Sequence, residues 1–117
     1  MARSESVRRG ERAQRLGEQA EAAVADDLRR GGWSVREQGH LQTATDIVAQ
    51  KGPRKWYVQV KASASGDPAW PGGDEIGRLQ RPARRYGGTA VVALVTAAKR
   101  QMQIEYRSAA DRRKLSA

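Results

Sequence analysis

The sequence predicts an α/β domain in which a mixed five-stranded sheet lies between helices, in the order α-β-β-β-α-β-β. Apolar residues recur with helical spacing over residues 11–30 and again over residues 76–86, and strand-like segments follow each stretch. Residues 90–96 are apolar without alternation, which is typical of a central strand covered on both faces. With 117 residues and no repeat or linker, residues 1–117 are predicted to form one domain.

The first helix is predicted from an apolar stripe that ends at two glycines. Gly31 and Gly32 end it, because glycine adopts the left-handed cap conformation without penalty. Residues 1–10 are polar and basic and are predicted to form a flexible arm. The stripe is made of residues three and four apart: Leu16, Ala20, Ala23, Val24 and Leu28.

Three strands are predicted between the two helices. Residues 33–37 alternate between apolar and polar, with Trp33 and Val35 facing inward. Residues 43–61 contain two further strands, joined by a turn of sequence KGPRK. This turn folds the second of these strands back beside the first.

The second half of the chain is predicted to contain one helix and two strands. Residues 63–75 form a Gly/Pro-rich loop, and the regular part of the helix that follows is predicted to begin at or just before Pro82. After the central strand, residues 101–107 alternate as an outer strand does. Residues 108–117 are predicted to be a polar tail or short helix.

The charge balance favours a nucleic-acid partner. The formal net charge is +9 and the isoelectric point is near 10.8. The absence of cysteine excludes disulfides, thiolate nucleophiles and cysteine-based zinc sites. No secretory signal is visible, and the longest apolar run is about half of the ~20 residues that a membrane-spanning helix needs. We therefore expect a soluble cytoplasmic protein, cellular or virus-encoded, with no membrane partner.

Three polar residues of the paired strands are predicted to meet at one point. Asp46 lies near the start of the first strand, while Gln59 and Lys61 lie near the end of the second and share one face. A carboxylate and an amide oxygen suit a hard divalent cation. The lysine beside them would supply a positive charge that activates water. Glu18 and Glu21 of the first helix are both candidates for a further carboxylate.

Each of these residues also has an ordinary explanation when it is taken singly. Asp46 would cap a turn, Lys61 would carry the end of an apolar strand into solvent, and either glutamate would be a solvated helix carboxylate. The combination of the residues, rather than any one of them, indicates chemistry.

A wider pattern surrounds this cluster. An acid in the first helix is followed by the sequence D-I-V-A and then, about a dozen residues later, by Q-x-K. The pattern resembles the PD-(D/E)xK nucleases with the restriction-endonuclease-like fold, and within them the archaeal-type Holliday junction resolvases. The resemblance spans residues 8–107, and its register selects Glu21 over Glu18. The matched positions are Gly17, Glu21, Gly32-Trp33, Thr45-Asp46-Ile47-Val48-Ala49, Gln59-Val60-Lys61-Ala62, Gln80 and Gly87-Gly88.

The sequence departs from the pattern at two positions. Thr45 replaces the usual proline, which is a minor change. Gln59 replaces the usual glutamate and removes a negative charge from the implied metal site. A neutral amide oxygen still ligates Mg²⁺ or Mn²⁺. Because a charge is lost, however, an inactive nuclease remains an alternative.

The resemblance implies hydrolysis of DNA phosphodiesters that depends on Mg²⁺ or Mn²⁺ and on no organic cofactor. Asp46, Gln59, the Val60 carbonyl and Glu21 would hold the metal, and Lys61 would act on the attacking water. A four-way junction has two-fold symmetry, so the resemblance also implies a homodimer that makes two matched cuts.

Candidate DNA contacts are basic side chains near the two ends of the first helix, together with polar or aromatic residues after the lysine. Trp56 is expected in the core instead, and His40 is more simply a structural or exposed loop residue. The candidates are Arg8, Arg9, Arg12, Arg15, Arg29, Arg30, Ser63, Ser65, Trp70 and Gln80.

Three other functions stay open at this point. The first is another endonuclease of the same superfamily. The second is a DNA-binding member of the fold that lost activity through Gln59. The third is a basic nucleic-acid-binding domain in which the pattern arises by chance.

Overall fold

The computed structural model describes residues 5–38, 44–98 and 101–117, with the backbone alone for residues 5–9. The predicted connection that contains His40 lies outside these residues. The elements in chain order are α1 (Glu5–Arg30), β1 (Ser34–Glu37), β2 (Ile47–Lys51), β3 (Arg54–Ser63), α2 (Gly73–Tyr86), β4 (Thr89–Ala98), β5 (Gln101–Ser108) and β6 (Lys114–Leu115).

The strands form one mixed sheet in the order β1-β2-β3-β4-β5-β6. Neighbouring strands are antiparallel except β3 and β4, which are parallel. A parallel pair needs a crossover connection, and α2 supplies it. The predicted α/β class and the mixed sheet between helices are therefore confirmed, but the sheet has six strands instead of five.

Helix α1 packs on one face of the sheet through the predicted apolar stripe. Ala20, Val24 and Leu28 are fully buried there. An aromatic group closes the far side of this core, where the Trp33 and Trp56 ring centroids are 4.6 Å apart and Tyr106 packs on Trp56. The burial of Trp56 confirms its expected place in the core.

Helix α1 begins at Glu5 rather than at residue 11, so the second half of the predicted arm is helical. The sequence of this segment is polar, and polar residues extend an existing helix at little cost once a packed stripe has nucleated it. The apolar stripe therefore predicted the packed part of the helix and missed its first turns.

Helix α2 packs on the opposite face around the fully buried Leu79. It is regular from Gly73 and runs without a break through Pro82, whereas the sequence predicted that the regular part begins at or just before Pro82. Proline removes one main-chain donor, and here only one turn follows it, so packing of the helix on the sheet outweighs that loss. The predicted Gly-Gly turn follows, and at Gly88 (φ 129°) a Cβ atom would lie 2.7 Å from the Lys55 carbonyl oxygen.

The predicted polar tail contains the sixth strand. β6 pairs with β5 through Leu115 opposite Tyr106 and Lys114 opposite Arg107. Arg54 Nη2 donates to the Ser116 carbonyl oxygen at 2.8 Å and ties this end of the chain to β3. A two-residue strand shows no alternation, so the sequence carried no signal for it.

Within the described ranges, neither helix combines the length and apolar content that crossing a membrane requires.

Candidate active site

The site lies where β2 and β3 separate. β2 begins at Ile47 opposite Val58, whereas β3 continues to Ser63. The Asp46 side chain occupies the space beside β3 beyond the end of this pairing, where its Oδ2 accepts the Val60 N–H at 2.8 Å. The Asp46 N–H in turn donates to the Val58 carbonyl oxygen at 2.8 Å. Two main-chain contacts thus fix the carboxylate at the sheet edge.

Burial raises the pKa of Asp46, and the charge of Glu75 raises it further. The Val60 N–H and the Lys61 ammonium oppose this increase. The carboxylate therefore lies in a partly desolvated position that a cation stabilises, because a nearby positive charge favours its ionised form.

Glu21 approaches Asp46 from α1. Burial, followed by repulsion from Asp46, Glu37 and Glu18, raises the pKa of Glu21 to about 7. The Glu18 side chain is exposed and accepts a long 3.5 Å contact from Gln14. Between the two candidate glutamates, Glu21 is thus the half-buried residue on which the Asp46 charge acts.

Gln59 and Lys61 share the sheet face that α2 covers, as the alternation of β3 predicts. Both side chains contact a single oxygen of Glu75, in the first turn of α2. Gln59 Nε2 donates to Glu75 Oε2 at 2.6 Å, and Lys61 Nζ lies 2.9 Å from the same atom. The hydrogen bonds from Lys61 and Gln59 lower the pKa of Glu75.

Glu75 is the site residue that the sequence analysis missed. Residue 75 falls at the end of the predicted Gly/Pro-rich loop, and neither strand alternation nor the family pattern marks it. The available signal is the acidic pair Asp74-Glu75 in the first turn of a helix, a position that the helix dipole favours for any acid. That general preference explains the pair without reference to a site.

The donor atoms of the site fit a divalent cation. Gln59 Oε1 is buried and has no hydrogen-bond partner among the described residues, so its lone pairs are free to bind a cation. The Val60 carbonyl points to the same edge as its N–H, because both groups of one strand residue face the same neighbouring strand. No three acidic or histidine side chains of the described residues converge as a metal cluster, so amide and main-chain oxygens would complete the ligand set.

The predicted basic contacts on α1 differ in their surroundings. Arg12, Arg15 and Arg30 are exposed. Arg29 lies 3.8 Å from an Asp26 oxygen and 3.6 Å from a Glu37 oxygen. Arg8 and Arg9 belong to the helical turns whose side chains lie outside the description.

The other predicted DNA contacts are spread over the α2 face and its loop. Ser63 Oγ accepts the Ser65 N–H at 3.2 Å, which is a local turn contact. Trp70 is half-buried in the α2-side core, and the Arg112 guanidinium lies 4.8 Å from its ring centroid. Gln80 accepts from Arg84 at 3.2 Å and lines a small surface hollow with Gly88 and Thr89. Within the described residues, none of these four side chains forms a hydrogen bond with Asp46, Gln59 or Lys61, so they lie outside the hydrogen bonds of the site.

Comparison with known proteins supports the fold. No protein-family model and no curated protein matches the chain. Among solved structures, the chain is similar to Hjc of Archaeoglobus fulgidus, a Holliday junction resolvase from an archaeal hyperthermophile. The TM-score is 0.67 at 22% identity, over 80% of this chain and 73% of the Hjc chain. The chain therefore has the nuclease fold of that resolvase, as the resemblance implied.

Proposed function

We propose that this protein is a structure-selective endodeoxyribonuclease that resolves four-way DNA junctions by metal-dependent phosphodiester hydrolysis. The observation that carries the proposal is the Asp46 carboxylate, which the Val60 N–H holds at the open edge of β3 and on which the Lys61 charge acts, in a chain with a resolvase fold. The strongly basic composition supports a DNA substrate.

A bound Mg²⁺ or Mn²⁺ would neutralise phosphate charge and lower the pKa of a water ligand. Asp46 would hold the metal with its carboxylate, which the Val60 N–H already orients. Gln59 Oε1 and the Val60 carbonyl would add neutral oxygens, and Glu21 would bind directly or through water. Lys61 would orient the attacking water and stabilise the charge that develops on phosphorus.

Glu75 bears on whether the Gln59 substitution destroys activity. The amide at position 59 holds a carboxylate at 2.6 Å, so a negative charge remains one hydrogen bond away from the position of the usual glutamate. The same carboxylate fixes Lys61, whose flexible stem would otherwise sample many positions. These contacts favour an active site that retains its charge over one that has lost it.

We further propose that the protein acts as a homodimer with two sites on one basic face, since two matched cuts resolve a symmetric junction. Exposed Arg12, Arg15 and Arg30 would contact phosphates of the arms. Arg29 would exchange its acidic partners for phosphate on binding. Each phosphate contact adds about 0.9 to the slope of log affinity against log salt.

An inactive DNA-binding protein is the second candidate, and the neutral amide of Gln59 favours it. The absence of a three-acid cluster among the described residues points the same way. Cleavage alone separates the two functions, because both predict tight and salt-sensitive binding to branched DNA.

The deciding experiment is cleavage of a synthetic four-way junction and of a linear duplex with the same sequence, each with Mg²⁺ and with Mn²⁺. Asp46→Ala and Lys61→Ala are assayed beside the matched controls Asp67→Ala and Lys51→Ala, which change exposed residues away from the cluster. Paired nicks in the junction alone, lost only in the two site variants, support a resolvase. Binding without cleavage under either metal identifies the inactive protein, and equal cleavage of the duplex indicates another kind of endonuclease.

A further inference from the structure

A second concave site lies beside the catalytic cluster, between α2 and the sheet. Its volume is about 480 Å³, within the range of ~300–1,000 Å³ typical of ligand sites. The residues that define it are Arg36 on β1, Lys55 and Tyr57 on β3, and Arg78 and Tyr86 on α2. None of these residues belongs to the pattern that identified the catalytic cluster.

The lining of this pocket is cationic and contains no carboxylate. Arg36, Lys55 and Arg78 have no ion-pair partner among the described residues. Elsewhere in the same structure Arg29 and Arg107 do pair with carboxylates. Arg78 lies near enough to Glu75 to lower the pKa of that residue, so one of the three charges is partly compensated. The three cations around the cavity still repel one another, and an anion in the cavity would offset that repulsion.

The floor of the pocket carries a second polar feature. Tyr57 is 4% exposed, and its hydroxyl is buried without a hydrogen-bond partner among the described residues. Lys55 Nζ lies 5.3 Å from the centroid of the same ring. A buried hydroxyl that makes no hydrogen bond costs stability, so each such group in a native protein points to a missing partner.

The pocket is continuous with the catalytic cluster along two elements. Thr45, at its edge, directly precedes Asp46. Arg78 follows Glu75 by one helical turn, so the two side chains lie on the same side of α2. If the scissile phosphate of a DNA strand lies at Asp46, a neighbouring phosphate of the same DNA strand would therefore lie over the three cations.

We propose that this pocket binds a phosphate group of the nucleotide strand next to the scissile phosphate, with Arg36, Lys55 and Arg78 as its cationic contacts. The inference rests on the proposed DNA substrate and adds a subsite to it. The exposed face of Tyr86 and the ring of Pro82 would border the attached sugar.

The test measures binding of the full-length protein to a four-way junction in EDTA, where no cleavage occurs, by fluorescence anisotropy. Junctions with one neutral methylphosphonate at each position around the cleavage point are compared with the unmodified junction. The variants are Lys55→Gln and Arg78→Gln. The control Arg81→Gln removes one charge from an exposed position of the same helix outside the pocket.

At one phosphate position, the methylphosphonate is expected to weaken junction binding by the wild type and by Arg81→Gln about tenfold. At the same position, the junction affinity of the two pocket variants is expected to change by less than about twofold. A parallel titration with dTMP and with inorganic phosphate identifies the source of the phosphate. Binding of dTMP that both pocket variants lose, without coupling on the junction, assigns the pocket to a free nucleotide. Tight junction binding with no coupling and no dTMP binding overturns the inference, whereas failure of the wild type to bind the junction overturns the proposed function instead.

Discussion

Lys61 and Glu75 form an ion pair of 2.9 Å between Nζ and Oε2, although they lie on a strand and a helix that the loop of residues 64–72 separates. The same oxygen accepts the Gln59 amide at 2.6 Å. An amide donor and an ammonium donor thus converge on one carboxylate. A glutamate at position 59 would meet that carboxylate as a like charge, so residues 59 and 75 are coupled.

Gln59→Glu is expected to destabilise the metal-free protein by about 1–3 kcal/mol, because it replaces a hydrogen bond by repulsion between carboxylates. Mg²⁺ should then raise the melting temperature of this variant more than that of the wild type, since a bound cation would offset the added negative charge at position 59. Thermal unfolding in EDTA and in Mg²⁺ measures both effects. The double variant Gln59→Glu with Glu75→Gln restores one acid and one amide and is expected to recover the lost stability. Equal stability and equal Mg²⁺ response in wild type and Gln59→Glu would show that the two positions are not coupled.

Glu75→Gln is expected to raise the Mg²⁺ concentration needed for half-maximal junction cleavage by about tenfold, equivalent to ~1.4 kcal/mol. The physical reason is the loss of the negative charge that Gln59 and Lys61 hold beside the site. A metal titration of the cleavage rate measures this change, and Mn²⁺ binding followed by electron paramagnetic resonance provides a readout without turnover. Asp74→Asn is the matched control, because Asp74 is the exposed neighbour in the same first turn of α2. A similar shift in both variants would mean that general charge, rather than the Glu75 contacts, sets the metal requirement.

The sequence predicted the strand positions of Asp46, Gln59 and Lys61 because the pairing of β2 and β3 is local. A turn of known residues joins the strands, and their alternation determines which side chains share a face. Glu75 could not be predicted, because its contact with Gln59 spans 16 residues and depends on where α2 docks. Docking is a tertiary property. The apolar residues of α2 predict which face of the helix packs on the sheet, but not where along the sheet it packs.

The remaining differences have the same origin. Pro82 predicts a break when only local hydrogen bonding is considered, but burial of Leu79 keeps α2 continuous. The strand at Lys114–Leu115 forms through pairing with β5 and the contact from Arg54, neither of which leaves a pattern in a two-residue segment. Local pattern thus predicted the elements, whereas their ends depend on tertiary contacts.

Glu21 is expected to make stability depend on pH. Its pKa rises from 4.5 to about 7 on folding, so the folded protein binds this proton more tightly than the unfolded chain does. The stability contributed by the neutral carboxyl is therefore lost as pH rises from about 4.5 to about 7. Glu21→Gln should match the wild type near pH 4 and exceed it at pH 8 by about 1 kcal/mol, after allowance for solvent screening.

Urea unfolding in EDTA at both pH values tests this expectation without any metal. Asp26→Asn is the control, because Asp26 is exposed on the same helix and is not among the charges that raise the pKa of Glu21. A stability difference between Glu21→Gln and wild type that stays constant from pH 4 to pH 8 would contradict the raised pKa.

Tyr106→Phe tests the contact that joins α1 to β5. The Tyr106 hydroxyl donates to Asp27 Oδ2 at 2.6 Å, and burial together with this hydrogen bond raises the pKa of Tyr106. Loss of a hydrogen bond to a charged group is expected to lower the free energy of unfolding by about 1.5–3 kcal/mol. Because the ring remains, its packing on Trp56 is kept and the loss is assigned to the hydroxyl.

Tyr86→Phe is the matched control: Tyr86 is 66% exposed, so its hydroxyl should change stability by less than about 0.5 kcal/mol. Equal losses in the two variants, measured by urea unfolding at pH 7, would mean that the Tyr106–Asp27 bond does not hold α1 on the sheet.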